Sequence, residues 1–207
     1  MRFVAPLDDA FASRGHVRIL RALDELPEEF SASAREIARR ADVAHNRASE
    51  ILASLTEQGL ADVQHVARSD LYHLNREHAL YSSVHALFVD ERKVHRELER
   101  FLSRRLRARI EGIEEAYLFG SVSRKESGIG SDIDLAIVVP RTRMGAAEAA
   151  LTGLGDEVRK RFGSELSVHI SREPLAKRVR ASAGRALWQR IQAEGVQLLP
   201  AKPSTHA

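Results

Sequence analysis

The chemistry this sequence offers most plainly lies in two short motifs. Gly120-Ser121 follows the apolar run Ala116 to Phe119, and ten residues later comes Asp132-Ile133-Asp134, opening a second apolar run to Val139. A glycine at a strand-to-helix turn lets backbone N–H groups approach an anion closely, and a helix start favours phosphate for the same reason. Ser121 adds a hydroxyl donor. Side chains alternate along a strand, so Asp132 and Asp134 point the same way, about 7 Å apart. Ile133, Leu135, Ile137 and Val139 then form the opposite, apolar face. Two neighbouring carboxylates repel each other, and a divalent cation between them relieves the repulsion. Oxygen ligands without His or Cys suit Mg2+, which binds one or two carboxylates plus substrate phosphates. A phosphate-friendly turn beside such a pair describes a nucleoside triphosphate site.

These residues need a sheet to hold them. Residues 113–199 alternate strand and helix patterns, an α/β arrangement. One of these strand patterns is Glu165 to Ile170, which the resemblance given below sets next to Asp134. Leu166, Val168 and Ile170 alternate onto its core face, leaving Glu165, Ser167 and His169 on the other.

Taken together, this segment resembles the DNA polymerase β-like nucleotidyltransferases, especially the minimal members. The shared pattern is Gly-Ser, about ten residues, then Asp-hydrophobic-Asp, with Ser131 and Arg124 also fitting. Leu187 to Leu199 resembles the closing helix, Gly and strand. The resemblance implies transfer of a nucleoside monophosphate from NTP to a hydroxyl. Asp132 and Asp134 would hold Mg2+, and Gly120, Ser121, Arg124 and Lys125 would meet the phosphates. It also implies a third carboxylate on the neighbouring strand. By register Ser167 stands there, a poor anionic ligand and a poor base. Glu165 and His169 are the two residues that could substitute. The serine leaves open whether the domain is an enzyme or a catalytically degenerate regulator.

The first third reads differently. Val17, Leu20, Leu23 and Leu26 repeat at helical spacing up to Pro27. Ser33 and Glu36 form a capping box for a helix over 34–41. A turn at Asp42-Val43 leads to a helix over 44–58, with Ala48, Ile51, Leu52 and Leu55 apolar and Gly59 at its end. Strands over 60–66 and 71–74 flank a polar tip at Arg68-Ser69-Asp70. From Arg35 to Asn75 this resembles the winged helix-turn-helix of ArsR- and MarR-type regulators. That resemblance implies double-stranded DNA as partner, with His45, Asn46, Arg47 and Ser49 at base edges and Arg68 on the backbone or minor groove.

Between the two lies a charge-rich helix over 77–110. Leu80, Leu87, Val94, Phe101 and Ala108 stand seven apart, which fits either a helix packed on its own domain or, as the preferred expectation, a homodimer helix. Its cluster Arg100, Arg104, Arg105, Arg107 and Arg109 is either a solvated face or an approach for nucleotide or nucleic acid.

Composition sets the remaining bounds. The chain has 207 residues, no cysteine and a formal net charge of +3. A disulfide scaffold and a cysteine nucleophile are excluded. Residues 1–75 carry nine Lys and Arg against twelve Asp and Glu, so a DNA face there must be a local patch. His65 and His73, on opposite strands of the hairpin, are the nearest approach to a transition-metal pair. No membrane-length apolar run and no secretory signal is read, so the expected location is cytoplasmic.

The expected fold is therefore a two-domain α+β and α/β chain. It comprises an N-terminal winged helix over 1–75 and a linker or dimerisation helix over 76–111. A nucleotidyltransferase-like mixed sheet flanked by helices follows over 112–199, then a disordered tail over 200–207. The expected function is a DNA-binding protein carrying an Mg2+-dependent nucleotidyltransferase domain. By the same resemblance, an antitoxin acting beside a small toxin partner is an alternative.

Overall fold

The computed structural model describes residues 5–66, 69–124, 126, 128, 130–181 and 184–199. It divides the chain into two compact units, Met1–Lys93 and Val94–Ala207.

The first unit contains helices α1 (Pro6–Ala10) and α2 (Arg14–Asp24), strand β1 (Ala32–Ser33), helices α3 (Ala34–Ala41) and α4 (His45–Glu57), strands β2 (Ala61–Val66) and β3 (Ser69–Leu74), and the start of α5 (Tyr81–Arg109). Local chemistry sets the helix ends. Ser13 Oγ accepts the His16 N–H at the start of α2, and Ser33 Oγ accepts the Glu36 N–H at the start of α3. The capping box is half realised, because the Glu36 carboxylate is taken by Arg39 and Arg40. Gly59, with φ +78°, ends α4 as expected. β2 and β3 pair antiparallel from Ala61–Leu74 to Val66–Ser69, and β1 adds a third, two-residue strand to β3. That strand has no periodicity to reveal it and was not expected. Ile19, Leu20, Leu23, Ile37, Ile51 and Leu52 are the centre of this core.

The second unit holds strand β4 (Glu115–Phe119), the single turn α6 (Gly120–Ser123), β5 (Ile133–Val138), α7 (Met144–Phe162), β6 (Leu166–Ser171), α8 (Leu175–Arg178), α9 (Arg185–Glu194) and β7 (Val196–Leu199). The sheet order is β6-β5-β4-β7. β5 and β6 run parallel through the α7 crossover, and the other pairs are antiparallel. The unit is thus a mixed sheet. Alternation along β5 explains its two covered faces. Ile133, Leu135 and Ile137 pack with Leu98, Leu102 and Leu106 of α5 and with Leu154 and Val158 of α7. Ala136 points the other way, against Phe119, Trp188 and Ile191.

The long helix does not stand as a segment of its own. Val84 and Phe88 are buried in the first core, and Leu98, Phe101, Leu102 and Leu106 in the second. The seven-residue stripe is split accordingly, with Leu87 and Val94 left exposed. Among the described residues, no helix is long and apolar enough to cross a membrane.

Candidate functional site

The site is built where β4 ends and β5 begins. Phe119 and Asp134 are paired across these strands, so Gly120 emerges directly beside the aspartate. Gly120 has φ +78°, a conformation that costs any other L residue about 1–2 kcal/mol. Space is short as well: a Cβ there would meet Asp134 Oδ2, so the carboxylate would have to move aside. The carboxylate of Asp134 therefore rests on the bare Cα of Gly120. The turn that follows is only four residues long, shorter than the helix start the sequence suggests. One turn has little macrodipole, so anion affinity here rests on single N–H groups and on Ser121. The Ser121 hydroxyl has no protein partner among the described residues, and its carbonyl accepts the Glu126 N–H at 2.9 Å.

Asp134 is half-buried and Asp132 is exposed just before β5. Burial raises the Asp134 pKa above its ordinary value. His169, Arg190 and Arg124 pull it down, while the Asp132 charge pushes it further up. Asp134 thus has one like charge and three cationic or titratable groups in range. Of these, Arg190 had no assigned role in the sequence reading. It comes from α9, 56 residues beyond Asp134, and no local pattern marks it. Arg124 is held from two sides, donating to Glu126 Oε2 and Glu194 Oε1 at 2.8 Å each. Ser123 Oγ donates to the Gly120 carbonyl at 2.9 Å, tightening the turn.

On the neighbouring strand, Ser167 is the residue paired with Asp134. Its hydroxyl has no partner among the described residues. The two nearby alternatives separate. Glu165 forms an ion pair with Arg159 of α7. His169 lies opposite Ala136, with its ring 5.7 Å from that of Phe119. Among the described residues no three His, Asp or Glu cluster as an all-protein metal cage. Lys125 lies outside the described residues.

In the first unit, His45, Asn46 and Arg47 are exposed at the start of α4. Arg47 pairs with Glu50 at 2.7 Å, and Ser49 is half-buried with its hydroxyl turned back to the His45 carbonyl. Burial and the nearby Arg47 lower the pKa of His16. Arg68 lies outside the described residues. His65 and His73 do not face each other: the register sets His65 opposite Asp70 and His73 opposite Asp62.

Residues 95–187 match a family model described as a nucleotidyltransferase domain, and the mixed sheet of the second unit is consistent with that fold. The match begins inside α5, at the residue after the start of the second unit. Residues 17–136, more than half of the chain, match a family of unknown function (DUF7342), and the chain belongs to that family. Among solved structures, a toxin–antitoxin with AMP-PNP is 23% identical, with 50% of this chain and 74% of that one covered and a TM-score of 0.36. A mutant of the toxin–antitoxin MntA-HpeT is 22% identical over the same shares, with a TM-score of 0.37. A comparison with curated proteins finds no match.

Proposed function

We propose that the second unit binds a nucleoside triphosphate at Gly120, Ser121, Asp132 and Asp134, and transfers its nucleoside monophosphate slowly to a hydroxyl. The observation that carries this reading is the seat of Asp134 on Gly120. It brings an acidic pair and a side-chain-free turn into one place, and a phosphate chain needs both. In the transfer, the acceptor hydroxyl oxygen attacks the α-phosphorus, the α–β phosphoanhydride bond breaks, and pyrophosphate leaves.

The two carboxylates fit one Mg2+ ion, which takes one or two carboxylates and completes its shell with phosphates and water. Bound there, Mg2+ would supply charge neutralisation at the phosphoryl oxygens. The chain's own residues do the rest. Asp132 and Asp134 form the anionic anchor. Gly120 and Ser121 receive the phosphates. Arg190 adds positive charge on the α9 side. Arg124, held by Glu126 and Glu194, positions the turn. His169 is the group left on the site face to take the acceptor proton.

The first unit, in this reading, is a winged helix that binds double-stranded DNA through α4, with His45, Asn46 and Arg47 at the groove. Exposed Leu87 and Val94 support association of two copies along α5. A second reading, a regulator whose nucleotidyltransferase domain only binds, is favoured by Ser167 beside Asp134. Calorimetric titration of NTP in Mg2+ and in EDTA, followed by a pyrophosphate assay, tests the proposal. Equal affinity in both would remove the metal site. Tight Mg2+-dependent binding without any pyrophosphate would select the second reading.

A further inference from the structure

The arginines that α5 contributes to the second unit fall into two groups that the sequence does not distinguish. Arg105 and Arg109, one turn apart, both reach Glu157 of α7 and are neutralised there. Arg96, Arg100, Arg104 and Arg107 occupy a different face, within about 80° of one another at 100° per residue. All four are exposed, and none has a hydrogen bond or ion pair among the described residues. They advance in steps of about 6 Å or less and span about 16 Å of helix. The acids nearby are already engaged: Glu97 with Arg161 at 3.4 Å, and Glu99 with His95 at 3.3 Å.

Beside this row runs a groove of about 500 Å3, where Arg100, Ser103 and Arg104 face Gln197 and Leu198 of the edge strand β7; Arg161 and the two carboxylates Glu97 and Glu99 also line it. Val94 is the one large exposed hydrophobic described in this unit. A protein partner normally covers an apolar centre. Nucleic-acid interfaces are more polar and much more positively charged. We propose that the Arg96–Arg107 row and the groove beside it form a second nucleic-acid surface, which binds the phosphate backbone without reading sequence. The surface lies wholly in the second unit and stands independently of the nucleotidyl-transfer reading.

The test uses the full chain and a labelled duplex of mixed sequence, with affinity measured by anisotropy across a salt series. Each phosphate contact contributes about 0.9 to the slope of log K against log salt. Arg100→Gln/Arg104→Gln should therefore lower the magnitude of that slope by about two and weaken binding at every salt concentration. Arg172→Gln/Arg180→Gln removes the same charge from two exposed, unpaired arginines of this unit, and should leave the slope unchanged. Arg47→Ala reports separately on the α4 face. A thermal melt confirms that the surface variants stay folded. A wild type that fails to bind the duplex, an unchanged slope in Arg100→Gln/Arg104→Gln, or an equal loss in the control pair would overturn the proposal. The first of these would point to an acidic protein as the occupant instead.

Discussion

Ser167 is the residue directly beside Asp134 in the parallel pairing of β5 with β6. A hydroxyl thus occupies the neighbouring-strand position beside Asp134 at which the sequence leads one to expect a third carboxylate. Ser167→Asp restores an anion there. General-base assistance is typically worth about 10²–10⁴-fold, so the variant should release pyrophosphate at least about tenfold faster than wild type with a shared acceptor. A coupled pyrophosphate assay checks this. Brisk wild-type turnover that survives His169→Ala would show that the serine is no handicap.

Asp134 gives a pH-dependent stability signal. Burial first, and the Asp132 charge after it, raise its pKa in the folded protein. The native state then holds the proton more tightly than the unfolded chain does. Stability is therefore undiminished below the ordinary carboxylate pKa of about 3.9 and falls as pH rises through the native value. Asp134→Asn removes that penalty. In EDTA its Tm should exceed that of wild type at pH 7, with the gap closing as pH drops below about 4. A gap of constant size across the series contradicts the assignment of burial and repulsion to Asp134.

Gly120→Ala forces a methyl group into the space of the Asp134 carboxylate and keeps the strained φ. The left-handed strain alone costs about 1–2 kcal/mol, and the clash displaces Asp134 as well. Denaturant unfolding should show at least that loss, and NTP binding should fall together with it. Loss of stability with intact nucleotide affinity would separate the turn from the site.

Arg47→Ala tests the DNA reading of α4. Losing one phosphate contact should reduce the salt slope by about one and weaken binding to every duplex, whereas losing a base contact should relax specificity at one position. Gel shift and footprinting on the best selected site distinguish the two. Wild-type behaviour in both measurements would take Arg47 out of the interface.

Local patterns carry much of this molecule. Alternation along Ile133 to Val139 declares a strand with Asp134 on one face and a core on the other. The Ser33 cap and Gly59 declare where α3 begins and α4 ends. These features are legible because each depends on residues within a few positions of one another. Even the place of Ser167 follows from alternation along β6, once the two strands are taken as neighbours. The contacts that complete the site are of another kind. Gly120 under Asp134, Arg124 between Glu126 and Glu194, and Arg190 within range of Asp134 depend on chain segments up to 70 residues apart. No periodicity encodes them: the β4–β5 pairing brings Gly120 to Asp134, and packing of α9 brings Glu194 and Arg190 to the site. The same holds for α5. Its charge density is plain in the sequence, but Glu157 of α7 selects which arginines are neutralised. Its apolar residues likewise look like one seam until two separate cores claim its two ends, because burial is set by the surfaces a helix meets and not by its own repeat.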